Sequence, residues 1–127
     1  KMGMEVAIAS PAAYRPDAGV VAWAENNGKL TLTEDIKAAA KDADVIYTDV
    51  WASMGMEEEA EKRRAAFVGY QVNDELMALA KPDAIVQHCL RGEEITDEIM
   101  EKHNVEIMDE AENRLHAQKA VMVLLMK

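Results

Sequence analysis

Positive charge and cysteine are both scarce in this sequence, and each shortage excludes a class of protein. The 127 residues include 14 Lys and Arg against 24 Asp and Glu, for a formal net charge of −10. A protein that binds a phosphate backbone needs a basic face, so we expect no nucleic-acid partner. The single cysteine, Cys89, cannot form an internal disulfide, which fits a reducing compartment and a cytoplasmic location.

Long hydrophobic runs, metal-ligand spacings and glycine-rich phosphate loops are absent as well. No stretch approaches the roughly 18 apolar residues of a membrane span, and the first residues lack the apolar core of a secretory signal. One Cys and three scattered His give no zinc-ligand spacing. No glycine pattern typical of a dinucleotide or P-loop site follows a strand. We therefore expect no membrane partner, no metal and no cofactor.

The sequence does contain a regular alternation of short apolar runs and helical patterns. The predicted strands are Glu5–Ala9, Lys29–Thr33, Asp44–Thr48, Ala84–Cys89 and Val105–Met108. The predicted helices are Asp17–Asn26, Glu34–Lys41, Glu57–Phe67, Asn73–Ala80, Thr96–His103 and Glu112–Met126. This alternation predicts a single α/β domain: a doubly wound, Rossmann-like parallel sheet with helices on both faces.

Residues that are able to bind or react with a ligand follow three of the predicted strands. Parallel sheets of this kind bind ligands beyond the carboxyl ends of their strands. The residues in question are Asp49, Ser53 and Met54 after the third strand, His88, Cys89 and Leu90 at the end of the fourth, and Arg114 after the fifth. A rim that combines carboxylate, hydroxyl, thiol, imidazole and guanidinium suits a small zwitterion.

Each of these residues also has an ordinary structural interpretation. Cys89 at a strand end is compatible with a buried small hydrophobe. His88 is compatible with a satisfied structural histidine, and Asp49 with a helix cap. Arg114 stands among carboxylates and is compatible with a surface ion pair of little energetic value.

The last predicted helix has no polar side near its end. Residues 120–126 read A-V-M-V-L-L-M, which is apolar around the whole circumference of a helix. A surface helix is normally apolar on one side only. We therefore expect another protein surface to cover this end, and we expect the chain to self-associate as a homo-oligomer.

Three short motifs resemble those of a known enzyme family. The segment Asp49–Gly55, D-V-W-A-S-M-G, resembles the D-x-x-x-S-M-G motif by which ornithine carbamoyltransferases hold ornithine. The segment His88–Leu90 is similar to the start of their H-C-L-P motif, and Glu112–Arg114 is similar to their E-N-R motif. The motifs occur in the family's order, and the resemblance covers essentially the whole chain. The sequence is identified as a member of the aspartate/ornithine carbamoyltransferase family, with residues 1–127 as its ornithine-binding domain.

The resemblance implies a reaction and a set of substrate-binding residues. The family converts carbamoyl phosphate and L-ornithine to citrulline and phosphate. By matching positions, Asp49 binds the ornithine α-amine, while Ser53 and Met54 hold the amino-acid end. His88 belongs to the same binding set, and the backbone carbonyl of Leu90 contacts the carbamoyl amine.

The resemblance also implies two catalytic positions. Cys89 lies beside the reacting δ-amine, and Arg114 polarises the carbamoyl carbonyl as negative charge builds on it. No covalent intermediate with the enzyme is implied, so positioning and electrostatic stabilisation supply the rate enhancement.

The sequence departs from the family's pattern in ways that bear on activity. The family's carbamoyl-phosphate loop, S-x-R-T-R, lies in an N-terminal domain that residues 1–127 do not include. The family's ornithine domain also begins with a central strand that has no counterpart here, and the loop after Leu90 is shorter by a few residues. We therefore expect a domain without its first strand that does not turn over alone.

Two alternatives differ from an ornithine-binding domain. The segment Asp44–Asp49, followed by Gly55, loosely resembles a receiver domain with a phosphoacceptor Asp. Receivers also need an acidic pair after the first strand and a Lys after the fifth, and neither is present. The other alternative is a truncated or engineered α/β scaffold that shares the family origin, self-associates and carries out no chemistry.

Overall fold

The computed structural model describes residues 2–52, 55, 57–89 and 92–126, and of residue 57 only the backbone. Within these ranges the strands form two parallel pairs. β1 (Glu5–Ala9) pairs with β2 (Lys29–Thr33), and β3 (Val45–Thr48) pairs with β4 (Ile85–His88). Parallel neighbours need a crossover connection, and helical segments supply it in both pairs. Four of the predicted strands are therefore confirmed.

The rest of the described secondary structure consists of six α-helices, one 3-10 turn and an isolated parallel bridge between Val72 and Ile95. The turn is Ala12–Tyr14, and the helices are α1 (Ala18–Asn27), α2 (Ile36–Ala40), α3 (Glu57–Ala66), α4 (Asp74–Met77), α5 (Asp97–Lys102) and α6 (Asn104–Leu125). Side-chain oxygens cap four helices at the amino end, namely those of Asp17, Asp35, Asn73 and Thr96. Each capping oxygen accepts from backbone N–H groups that have no partner inside the helix.

The predicted fifth strand is wrong. Val105–Met108 lies inside α6, which runs for 22 residues without a break. Only Ile107 of these four residues is buried, so the segment lacks the alternating buried face of a strand. Neither Pro nor Gly interrupts residues 104–125, and the Glu, Ala, Leu, Met, Arg and Lys side chains there favour a helix.

The hydrophobic core lies behind the β3–β4 pair. It consists of Ala40, Ile46, Val72, Leu76, Val86, Ile95, Ile99, Met100 and Ile107. Val86 of β4 and Ile99 of α5 are completely buried, with no exposed surface. No residue of β1 or β2 is buried. The core therefore fixes the carboxyl ends of β3 and β4, where the predicted site residues stand.

The apolar end of α6 is not covered by the described part of the chain, so its cover by another protein surface stays a prediction. The side chains from Val121 to Met126 are all more than half exposed, and Met126 is 82% exposed. No helix in the described part of the chain is long and apolar enough to span a membrane.

Candidate functional site

Asp49 and Cys89 meet at the carboxyl ends of the two core strands. The parallel register pairs Thr48 with His88, so the next residue of each strand emerges at the same edge. The Cys89 thiol donates to Asp49 Oδ1 at 3.1 Å, and the same oxygen accepts from the Val50 N–H at 2.8 Å. Both side chains belong to exposed residues. The structure thus brings together the carboxylate and the thiol that the sequence singled out.

The surroundings of Cys89 favour the neutral thiol. Partial burial raises the pKa of the Cys89 thiol above its ordinary value, and the hydrogen bond to Asp49 together with that carboxylate's charge raises it further. A thiolate is the reactive form of cysteine, so this site does not activate Cys89 as a nucleophile. The geometry suits a polar contact better than covalent catalysis.

Tyr47 is a neighbour that the sequence did not single out. Its side chain lies on the exposed side of β3, and partial burial raises the pKa of its hydroxyl, with further contributions from the nearby acidic groups Glu110, Asp49 and Cys89. The three groups that raise this pKa all carry or can acquire negative charge. The edge of the sheet therefore has a negative potential, which favours a cationic ligand group.

His88 supports the edge from inside. Its side chain is fully buried, and its ring Nδ1 lies 2.8 Å from the carbonyl oxygen of Thr48. Its backbone N–H donates to Glu110 Oε2 at 3.0 Å, which connects β4 to α6. His88 therefore joins β3, β4 and α6, and its direct contact with substrate stays a prediction.

Glu94 is the second residue that sequence reasoning missed. It is buried in the loop after β4, and its Oε1 accepts from the Trp51 N–H at 2.8 Å. No periodicity or motif marks it, because it stands in an acidic pair on a loop, where a solvated side chain is the usual expectation. Its function in the structure depends on a contact 43 residues away in sequence.

The segment that follows Asp49 is anchored by aromatic packing. The Trp51 ring stacks on Phe67 with centroids 5.7 Å apart, and Phe67 also packs against Tyr14 at 5.3 Å. Arg63 Nη1 donates to the Trp51 carbonyl oxygen at 3.3 Å. The motif ends at Gly55, whose φ of 88° lies in the left-handed region that favours glycine.

A cavity adjoins Cys89 on the α6 side. It has a volume of about 770 Å³, and its lining includes Cys89, Asn104, Met108 and Asp109. Ligand pockets in proteins usually measure about 300–1,000 Å³. The cavity is therefore large enough for a small amino acid beside Cys89.

Of the remaining predicted site residues, the structure describes only Arg114. Ser53, Met54 and Leu90 lie outside the described residues. Arg114 is exposed in the middle of α6 and forms no hydrogen bond or ion pair with another described residue. The expectation that it follows a fifth strand at the rim is wrong, since that strand is helical here. Among the described residues, no group of His, Cys, Asp and Glu could hold a metal ion.

Comparison with known proteins decides the family. A sequence model described as "Aspartate/ornithine carbamoyltransferase, Asp/Orn binding domain" matches residues 1–125. The chain belongs to the aspartate/ornithine carbamoyltransferase family. It is 55% identical to the ornithine carbamoyltransferase of Thermococcus kodakarensis over 134 aligned positions, and 58% identical to that of Methanosarcina acetivorans over 130.

Solved structures of this carbamoyltransferase family agree with the fold. The anabolic ornithine carbamoyltransferase of Campylobacter jejuni superposes with a TM-score of 0.90 at 39% identity, covering 97% of this chain and 43% of that one. The ornithine carbamoyltransferase of Pyrococcus furiosus gives 0.86 at 52% identity, covering 98% and 42%. The predicted Rossmann-like α/β fold is confirmed.

The match includes nearly all of this chain but less than half of each carbamoyltransferase relative. It covers 99% of this chain but only 42% of the Thermococcus relative and 43% of the Methanosarcina relative. The chain thus spans about two fifths of the relatives it matches and corresponds to their Asp/Orn-binding domain.

Proposed function

We propose that this chain is the ornithine-binding half of a carbamoyltransferase that makes citrulline and phosphate from carbamoyl phosphate and L-ornithine. Asp49 binds the ornithine α-amine, and Cys89 lies beside the δ-amine that accepts the carbamoyl group. Ser53, Met54 and Leu90 complete the substrate contacts. Such a protein works in arginine biosynthesis in the cytoplasm.

The pairing of Asp49 with Cys89 carries this proposal. The two side chains are in contact at one edge of the sheet, the edge has negative potential, and a cavity of suitable size adjoins Cys89. An ammonium group that enters this edge donates a charge-assisted hydrogen bond to the Asp49 carboxylate. Ornithine has two ammonium groups separated by a short apolar chain, which suits this arrangement.

Calorimetry with L-ornithine at millimolar concentration tests the proposal. We expect weak binding heat that Asp49→Ala abolishes. Asp44→Ala is the matched control, because Asp44 is exposed near the opposite end of β3 and pairs with Lys81, away from the edge. Absence of heat from the parent chain, or equal heat from the Asp49 variant, would support the non-catalytic scaffold instead.

N-acetyl-L-ornithine separates two substrate classes. One solved relative, at 35% identity and a TM-score of 0.80, is an N-acetyl-L-ornithine transcarbamylase. Acetylation removes the positive charge of the α-amine that Asp49 is proposed to bind. We expect no heat from N-acetyl-L-ornithine; heat from it that survives Asp49→Ala would assign the chain to the acetylated substrate.

Turnover requires parts that we propose lie outside residues 1–127. In support, no strand pairing joins β1 to β3 among the described residues, and residues of both strands line a cavity of about 150 Å³. We propose that one further strand completes the sheet here. A second domain binds carbamoyl phosphate, and Arg114 polarises the carbamoyl carbonyl in the assembled site.

Complementation tests this part of the proposal. The portion of the Thermococcus relative that the match does not cover is co-expressed with this chain, and citrulline formation is measured. We expect no citrulline from either part alone and detectable citrulline from both together. Arg114→Gln should abolish the gain if the proposed role is right, whereas Lys119→Gln, a change of similar size on the same helix, should leave it.

The exposed apolar end of α6 supports a homo-oligomer. Six consecutive side chains from Val121 to Met126 are each at least 52% exposed, and such a continuous surface is usually covered. We propose that another copy of the chain covers it. Light scattering should show a dimer or a larger assembly, and Leu124→Glu should shift it toward the monomer. A monomeric parent chain would contradict this assignment.

A further inference from the structure

Two buried polar atoms without a hydrogen bond, one on Glu94 and one on His88, lie near each other. The side chain of Glu94 is only 7% exposed, and its Oε1 accepts from the Trp51 N–H at 2.8 Å. Its Oε2 has no hydrogen-bond partner and lies 3.8 Å from Nε2 of His88, which has none either. Buried polar atoms are nearly always satisfied, so two such atoms facing one another require an explanation.

The hydrogen bond on the far side of the His88 ring supplies that explanation. The carbonyl oxygen of Thr48 can only accept, so Nδ1, which lies 2.8 Å from it, carries a hydrogen. In a neutral ring Nε2 then presents a lone pair toward the carboxylate of Glu94. Two acceptors facing each other inside a protein are unfavourable, whereas one additional proton makes them an imidazolium–carboxylate pair.

The backbone around Glu94 fixes the position of its carboxylate. The Val72 N–H donates to the carbonyl oxygen of Glu94 at 2.8 Å, and the Thr96 N–H donates to the carbonyl oxygen of Val72 at 3.0 Å. A Cβ atom added at Gly92 would clash with Glu94 Oε2. Any larger residue at Gly92 would therefore displace the carboxylate from between Trp51 and His88.

We propose that Glu94 is a positioning residue that shares a proton with His88 and thereby fixes Asp49 relative to Cys89. Glu94 binds the backbone of Trp51, two residues after Asp49, and it faces His88, the residue before Cys89. The charged group that α6 directs at this pair is Glu110, which accepts from the His88 backbone N–H. One buried carboxylate thus connects the segments after β3 and β4.

The spectrum of the His88 ring nitrogens tests the shared proton. In the parent chain at pH 7, ¹⁵N NMR should show both ring nitrogens of His88 protonated. In Glu94→Gln the side-chain amide donates to Nε2, so His88 should become a neutral ring with its proton on Nδ1. A neutral His88 ring in the parent chain would overturn the proposal without the use of any variant.

Two further variants separate charge from position. Gly92→Ala keeps the carboxylate but displaces it, so it should produce the same loss of the imidazolium signal. Glu93→Gln is the matched control, because Glu93 is 61% exposed and pairs with Arg64 instead. It should leave His88 unchanged, and none of the variants should alter His103 or His116, which contact Glu106 and Glu112. An imidazolium signal that persists in Glu94→Gln would contradict the proposal.

The consequence for ligand binding rests on the proposed function. Displacement of the carboxylate removes the charge-assisted contacts of Glu94, so Gly92→Ala should weaken ornithine binding about tenfold or more. Loss of binding in Asp49→Ala with an unchanged His88 spectrum in Glu94→Gln would refute this inference alone. The expected spectra without any binding by the parent chain would instead refute the proposed function alone.

Discussion

The two parallel strand pairs differ in what packs behind them. The β1–β2 pair has five residue pairs in register and the β3–β4 pair has four, so backbone pairing slightly favours the first. Side-chain burial favours the second pair, because Val86 of β4 is fully buried whereas no residue of β1 or β2 is buried. Side-chain burial is the main favourable term in folding, so β3–β4 is the stable half of the sheet.

The location of the candidate site follows this difference. Asp49 and Cys89 extend from the half that the core immobilises, and both Glu94 and Glu110 bind backbone N–H groups of that half. The β1–β2 half contributes no residue to the contact between Asp49 and Cys89. Its strands have no buried residue, which is the observation behind the proposal of a further strand.

Truncation of a core side chain should produce the largest effect. Ile99 is completely buried behind β4, so Ile99→Ala should lower the free energy of unfolding by about 2–5 kcal/mol. Val6 of β1 is 42% exposed, and Val6→Ala should cost less than about 1 kcal/mol. Urea unfolding measures both values. Equal losses would mean that the two halves are equally well packed.

Removal of a helix cap should produce an intermediate effect. Asn73 accepts from the Leu76 N–H at the start of α4, next to the core, so Asn73→Ala should cost about 1 kcal/mol. Asp17 caps α1, which has no buried residue, so Asp17→Ala should mainly speed local hydrogen exchange in that helix. A greater loss of global stability from Asp17→Ala than from Asn73→Ala would contradict the comparison.

The smallest expected effect concerns the thiol at the edge. The raised pKa of Cys89 leaves little thiolate at pH 7, so alkylation should be slower than that of free cysteine and should accelerate as pH increases. Asp49→Asn removes a charge that raises this pKa and should increase the rate at pH 7. Cys89 is the single cysteine, so iodoacetamide labelling followed by mass spectrometry reports on it alone. A faster reaction than free cysteine would contradict the assigned surroundings.

Local sequence patterns predicted the confirmed strands because each has a short apolar run beside a turn or helix signal. Val105–Met108 has the same composition as a short strand, yet it is helical. A run of four residues is too short to distinguish the hydrophobic period of a helix from that of a strand. The helix-forming residues on either side make the whole segment 104–125 helical. The prediction that Arg114 lies at the rim of the sheet was wrong for the same reason.

The candidate site was predictable only where its residues stand next to strand ends. Asp49 and Cys89 follow directly from the parallel arrangement, because the strands that carry them are neighbours in register. Glu94 and Tyr47 were not predictable in this way. Glu94 acts through the backbone of Trp51 and through a histidine ring, and such long-range contacts leave no mark in the local sequence.

The register between Thr48 and His88 has a consequence for how the proposed substrate preference is able to change. Hydrogen-bonded strands lie about 4.8 Å apart in every sheet, so substitutions within β3 or β4 cannot alter the separation of the residues that follow them. Under the proposed function, acceptance of a longer or shorter diamine therefore depends on the connecting segments. Libraries built to change the acceptor amine should vary residues 50–56, 90, 91 and 93 and leave Thr48, His88 and Gly92 untouched.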